Sequence, residues 1–333
     1  MKIYPLALLL AALCGCGNKS GGVETATGAG SQTQPIAATW PGFNADSAYE
    51  YIGRQVAFGP RVPGTYAHDR CRDYIASAMT AFGADTVIMQ KADVKAFDGT
   101  TLPMTNILAR FNTAARRRIL LAAHYDTRPW ADEDPDPSKR KTPIDGANDG
   151  GSGVGVLMEI ARNISHEKPE IGVDFLFTDV EDYGAGGDDE DPESETSWCL
   201  GSSYWAENPY YTADNRPSFG ILLDMVGGRG ARFYREHFSE AFASWVNGKI
   251  WKAAKDEGIG RFVDERRGAV TDDHLFINRS RIPCVDIIEC ANPETGSFPP
   301  YWHTTADNMA KIDTATLGEV GRTIMRVIYT EKN

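Results

Sequence analysis

A chain of 333 residues, 42% hydrophobic and 24% charged, carries enough apolar side chain to build one large core or two ordinary ones. Its formal net charge of −12, with no dense basic run beyond Arg116-Arg117-Arg118 and Lys139-Arg140-Lys141, argues against an extended nucleic-acid surface. The same acidity disfavours phospholipid headgroups as partners of the folded surface.

At the N-terminus, Lys2 precedes an apolar run from Leu6 to Leu13, too short to span a bilayer as an ordinary helix and typical of a signal peptide. It ends in Leu13-Cys14-Gly15-Cys16, which resembles the lipobox of bacterial lipoproteins. Residues 1–16 are therefore expected to be a lipoprotein signal, with Cys16 acylated. Cys14 follows the bulky Leu13 and fits poorly, and an ordinary secreted protein is the alternative. Residues 17–39 are mostly Gly, Ser, Thr, Ala and Gln, which suits a flexible tether reaching on the order of 25 Å. The folded part is expected over 40–333. It holds Cys71, Cys199, Cys284 and Cys290, with no Cys-x-x-Cys spacing, so buried free thiols are expected although an exported compartment permits disulfides.

From residue 40 onward, short apolar runs alternate with amphipathic stretches without a second linker or a repeat, which predicts one domain. Helical spacing covers 46–58, opened by candidate caps Asn44 and Asp46, and 66–82. Segments 86–94 and 105–111 read as outer strands. The runs 119–123, 173–178, 219–223 and 282–288 are nearly continuously apolar, as expected of strands buried on both faces. Helices are predicted over 154–164, 238–257 and 314–329. The fold class is α/β, a single domain with a mixed, mostly parallel central sheet flanked by helices.

Polar residues follow these strands in a regular way: "HYD" after the first, "DVED" after the second, "DMVGG" after the third. Ligands of open α/β sheets bind at the carboxyl ends of strands, so His124, Asp126, Glu181, Asp182 and Asp224 should meet on one rim. Like charges so placed repel unless a cation or shared protons compensate, and mixed nitrogen and oxygen donors favour zinc. The stretch "DGANDGGSG" (145–153) fits neither a P-loop nor G-x-G-x-x-G. Alone, Asp149 would be a turn or cap residue; beside the other carboxylates it reads as a metal ligand, its flanking glycines permitting close approach. His68, His166 and His237 are expected at the surface, and His274 in a structural hydrogen bond. The acidic run 188–195 reads as a solvated loop with no spaced calcium pattern.

The blocks "HYD" (124–126), "DGANDGGSG" (145–153), "FLFTDVED" (175–182), "ILLDMVG" (221–227), "TDDHLFIN" (271–278) and "SFPPYWHT" (297–304), in this order, resemble the zinc glutaminyl-peptide cyclotransferases of animals and Bacteroidetes-type bacteria, which are similar in fold to zinc aminopeptidases. The resemblance implies cyclisation of N-terminal Gln of peptides and proteins to pyroglutamate, with release of ammonia. It implies one zinc per chain held by Asp149, Asp182 and His303, with Glu181 as acid and base. It further implies Asp224 and Asp272 as an adjoining proton-sharing carboxylate pair, Phe298 and Trp302 as pocket walls, and a cis Asp149-Gly150 bond. A monomer is the default expectation. Animal enzymes have Glu-Glu where this chain has Glu181-Asp182, and Ala123 stands where a disulfide of the animal type would begin. Two rivals remain open: a two-zinc aminopeptidase, in which His124, Asp126 and Asp224 support a second ion, and a non-catalytic surface-binding lipoprotein. Trp302, Asp272 and "SFPPYWHT" favour the cyclase over the first, and the intact Glu181 over the second.

Overall fold

In strand β3 (Arg118–His124), Ile119, Leu121 and Ala123 join one apolar cluster while Leu120 and Ala122 join another on the opposite face. Every residue of the strand is buried, and so is every residue of β4 (Gly172–Thr178), β5 (Gly220–Asp224) and β8 (Cys284–Ile288). Burial on both faces is the physical reason that these strands read as unbroken apolar runs. The computed structural model describes residues 40–186 and 196–333; the expectations for 1–16, 17–39, Cys16 and the acidic run 188–195 lie outside the described residues.

With β1 (Thr86–Lys95) and β2 (Thr101–Phe111), these strands form a six-stranded sheet in the order β1-β2-β4-β3-β5-β8. The pairings of β1 with β2 and β2 with β4 are antiparallel, and the remaining ones are parallel, so the sheet is mixed and mostly parallel as expected. His124 pairs with Thr178, and Ala122 of β3 lies beside Leu222, two residues before Asp224. "HYD", "DVED" and "DMVGG" therefore leave the sheet along one edge.

Helices α1 (Ala45–Val56), α2 (Tyr66–Ala81) and α3 (Gly151–His166) contribute Ile52, Ile75 and Val156 to the larger cluster. Asn44 caps α1 by accepting from the Ser47 amide. On the other face α4 (Leu200–Glu207) supplies Trp205, and α6 (Asp273–Arg279) supplies Ile277. Between them in sequence come β6 (Phe233–Arg235), α5 (His237–Asp256) and β7 (Phe262–Arg266), with α7 (Thr314–Thr330) closing the chain against α5. The short elements α4, β6, β7 and α6 were not anticipated, because stretches this brief carry little periodic signal. All four cysteines of the described part are free and buried. Among the described residues no helix is long and apolar enough to cross a membrane.

Helix α3 begins hard against the sheet. A Cβ at Gly153 would lie 2.0 Å from the Leu223 carbonyl oxygen and 3.0 Å from Ala123 Cβ. Gly153→Ala should therefore cost about 1–3 kcal/mol in urea denaturation, as overpacking of a filled site does. In contrast Gly248, in α5, has nothing within 4 Å of its virtual Cβ, and Gly248→Ala should stabilise by about 0.4–1 kcal/mol.

Candidate functional site

The carboxyl edge of the sheet is held by polar groups that accept from, or donate to, the loop backbones. Asp126, fully buried two residues beyond β3, accepts from the amides of Glu181 and Asp182 at 3.1 Å each, and so fixes the loop after β4. Buried Arg61 donates to the carbonyls of Tyr125, Asp145 and Gly146, clamping the loop that carries Asp149. Asp307 accepts from the amides of Asn148 (2.9 Å) and Asp149 (3.1 Å), joining that loop to the one bearing His303. A Cβ at Gly150 would lie 2.4 Å from the His124 ring, so glycine there allows the Asp149 loop to lie against His124. Val180, Met225 and His303 all have left-handed backbone angles. Such angles are costly for non-glycine residues and cluster at functional sites.

The loops bring together two groups that share Asp149. In one, Asp149, Asp182 and His303 place ligand atoms within 4.8 Å of one another; in the other, His124, Asp149 and Asp224 do the same. His303 Nε2 lies 3.1 Å from Asp182 Oδ1 and 3.6 Å from Asp149 Oδ2. His124 Nε2 lies 3.0 Å from Asp149 Oδ1 and 3.3 Å from Asp224 Oδ1. Neither oxygen of Asp182, both buried, has a hydrogen-bond partner. Glu181 points beside these groups, with Oε2 3.9 Å from His124 Nδ1 and Oε1 accepting from the Cys199 thiol at 3.1 Å.

Burial pushes the Glu181 carboxyl well above the usual carboxylate range, against the pull of His124 and with Asp272 and Asp182 adding to it. Burial, then the charge of Asp149, raises Asp182 to about 6. Burial and the neighbouring Asp224 hold Asp272 well above its ordinary value. For Asp149 burial acts in the same sense, but the hydrogen bond and charge of His124 prevail and its carboxyl lies low.

A cavity of about 350 Å³ opens over these carboxylates, walled by Phe298, Trp302, Trp198 and Ile288. Trp302 stacks on the His303 imidazole with centroids 3.6 Å apart, Phe298 lies 4.5 Å from Trp302, and Trp198 stacks at 5.9 Å on the other ring contact of His303. Arg128, fully buried, lies between Trp130 and Trp198, 5.0 and 4.7 Å from their ring centres. It grips both oxygens of Asp132 and donates to the carbonyls of Asp182 and Gly184. Asp132 Oδ1 in turn stands 3.6 Å from His303 Nδ1.

Asp149, Glu181, Asp182, Asp224, Asp272, Phe298, Trp302 and His303 thus all line one cavity. Four expectations are corrected. The Asp149-Gly150 bond is not cis, since the described residues contain no cis peptide bond. Asp224 and Asp272 share no hydrogen bond: Asp224 turns to His124, while Asp272 Oδ1 caps α6 through the Asp273 amide and its Oδ2 has no partner. His68 is not a surface residue but is buried, 2.7 Å from Asp179 and stacked on Tyr125. His274, expected in a structural hydrogen bond, is buried with Nε2 3.4 Å from Glu236 Oε2, and neither ring nitrogen meets hydrogen-bond geometry. Sequence reasoning missed Arg61, Arg128, Trp198, Cys199 and Asp307. Only Arg128, two positions past "HYD", adjoined a recognised block closely enough to be suspected.

Residues 106–328 match Peptidase family M28. The crystal structure of Bacteroides thetaiotaomicron glutaminyl cyclase bound to N-acetylhistamine is 53% identical, with a TM-score of 0.85 over 88% of this chain and 100% of that one. A structure described as a leucine aminopeptidase precursor from the same organism is 52% identical, with a TM-score of 0.84 over 88% and 99%. The glutaminyl-peptide cyclotransferase of Bos taurus is 23% identical over 297 residues, 82% of this chain and 77% of its own length. The chain belongs to peptidase family M28, and within it groups with the bacterial glutaminyl cyclases.

The buried His68–Asp179 pair makes stability depend on pH. Burial opposes the charged imidazole, but the charge and hydrogen bond of Asp179 outweigh it and raise the His68 pKa. A raised imidazole pKa gives stability that is fully present below the unfolded value of about 6.5 and is lost as pH rises through the folded value. The excess unfolding free energy of wild type over His68→Gln, measured in urea, should therefore shrink as the pH is raised above about 6.5.

Proposed function

We propose that this chain converts N-terminal glutaminyl residues of peptides and proteins into pyroglutamate, releasing ammonia. The observation that carries this reading is Glu181: a buried carboxylate facing the cavity, adjacent in sequence to Asp182 yet outside the Asp149, Asp182 and His303 group. That group suits zinc. Both buried oxygens of Asp182 lack a hydrogen-bond partner, Oδ1 lies 3.1 Å from His303 Nε2, and a donor set of one imidazole and two carboxylates matches zinc preference. Asp132, gripped by Arg128, stands on the far side of His303 and orients the ring as outer carboxylates do for ligand histidines.

Bound there, zinc supplies a Lewis acid that polarises the substrate γ-carbonyl. Glu181 takes a proton from the α-amine as its nitrogen attacks the γ-carbon, and returns it to the amide nitrogen as the carbon–nitrogen bond breaks and ammonia leaves. Asp224, 7% exposed at the cavity wall, accepts from the departing amide. Trp302 and Phe298 cover the reacting atoms and keep out water, which would otherwise hydrolyse the amide.

In this reading the chain holds one zinc, in the Asp149, Asp182 and His303 group. In that arrangement His124 Nε2, 3.0 Å from Asp149 Oδ1 and 3.3 Å from Asp224 Oδ1, hydrogen-bonds these carboxylates in place of a second ion. The domain acts as a monomer in this reading, with no nucleic-acid partner. Its membrane attachment is a lipid on Cys16, supported by Leu13-Cys14-Gly15-Cys16. The second reading, a two-zinc aminopeptidase, has in its favour the resemblance to the described leucine aminopeptidase precursor.

Incubation of the zinc-loaded protein with Gln-initiated peptides should give products lighter by one ammonia with the chain otherwise intact. Release of free N-terminal residues without cyclised product would favour the aminopeptidase, as would two zinc ions per chain that are both needed for activity. Glu181→Gln should lower the rate roughly 10²–10⁴-fold while zinc content stays at wild-type level. Asp182→Ala and His303→Ala should lose zinc together with activity, and full zinc retention in either overturns the ligand set.

A further inference from the structure

Glu181 is the group on which the proposed proton transfers turn, yet its own carboxylate is held by a residue without an assigned part. Cys199 Sγ donates to Glu181 Oε1 at 3.1 Å, whereas the nearer histidine nitrogen, His124 Nδ1, stands 3.9 Å from Oε2. The thiol is not free to wander. The Cys199 amide donates to the Glu181 carbonyl (3.0 Å), and the Leu200 amide donates to the Val180 carbonyl (2.9 Å). Cys199 has a left-handed φ of 57° where it opens α4, which turns its side chain back over the β4 loop.

Several observations make this contact more than packing. The side chain is fully buried, and burial followed by the charge of Glu181 pushes the thiol well up, so it stays a neutral S–H donor and not a nucleophile. Glu181, Cys199 and Asp272 bring ligand atoms within 4.8 Å of one another, so the sulfur stands beside both acids. A thiol is a weak donor. It fixes the direction of the carboxylate while leaving most of the lone-pair capacity of Glu181 for the proton that moves.

Resting on the cyclase reading, we propose that Cys199 is a positioning residue for the reaction, holding Glu181 Oε1 so that the carboxylate stays aimed into the cavity. Displacement of a reacting group by about 1 Å costs up to 10²-fold in rate. Cys199→Ala should therefore lower kcat by roughly 10- to 10²-fold on a Gln-initiated peptide, with KM and zinc content unchanged. Cys199→Ser, which restores a donor of similar size, should recover most of that loss. In the Glu181→Gln background Cys199→Ala should have little further effect, because the group it positions no longer acts; residues that work as one unit are non-additive. A Cys199→Ala enzyme with wild-type kcat overturns the proposal, as does a loss that Ser does not repair or that is equally large in the Glu181→Gln background. The last comparison holds even if Cys199→Ala lowers stability, since a folding defect would reduce both backgrounds alike. If wild type itself forms no pyroglutamate, it is the cyclase reading that fails; if wild type cyclises and Cys199→Ala does so equally well, only the role of Cys199 fails.

Discussion

Packing several carboxylates into one buried place is the constraint around which the rest of this protein is arranged. Asp126, Asp149, Glu181, Asp182, Asp224, Asp272 and Asp307 are all at most 9% exposed, and they crowd the carboxyl ends of three adjacent strands. Ionised groups so placed cost several kcal/mol each unless compensated. Compensation is distributed unevenly. Asp126 and Asp307 receive backbone amides, and burial with the charge of Asp149 still holds Asp307 at about 8. Asp149 and Asp224 face the His124 ring, while neither carboxylate oxygen of Asp182 has a hydrogen-bond partner. That unevenness separates Asp126 and Asp307, which hold loop backbones, from the acids that the proposed reaction and its zinc would use.

The scaffold that enforces this crowding was the part most legible in the chain. Strands buried on both faces have to be apolar at every position, so β3, β4, β5 and β8 announced themselves, and the polar residues that followed them marked the site edge. What failed was anything decided by side-chain direction. Asp224 and Asp272 were expected to bond because the family resemblance implied it, but a rotamer that turns Asp224 to His124 and a cap that engages Asp272 leave no trace in sequence. His68 is a different kind of miss. It shares the buried face of α2 with Cys71, Ile75 and Met79, a helical spacing present in the sequence but obscured by the charged residues between them.

Arg128, Trp198 and Cys199 were missed as site residues for a third reason: each reaches the site from a loop or a helix start whose path depends on contacts far along the chain. Arg128 is sandwiched by indoles while its guanidinium ties Asp132 to the Asp182 loop, so aromatic packing and charge pairing stiffen the same wall. The left-handed residues Val180 and Met225 belong with these. Each follows a strand end and turns the chain sharply enough to aim the neighbouring carboxylate, a cost of about 1–3 kcal/mol apiece that the large buried core can bear.

The Asp307 carboxylate, which receives the amides of Asn148 and Asp149 across a separation of 159 and 158 residues, makes the site indivisible along the chain. The loop before α3 and the loop before α7 are two ends of one hydrogen-bonded structure, although half of the six-stranded sheet is threaded between them. A hybrid assembled from two relatives with a crossover between these loops would join an Asp149 loop of one ancestry to an Asp307 of another, and would have to match both in depth and direction. Recombination should therefore leave intact sites only where both loops are inherited together, and a fragment ending before the second loop lacks the clasp that gives Asp149 its place.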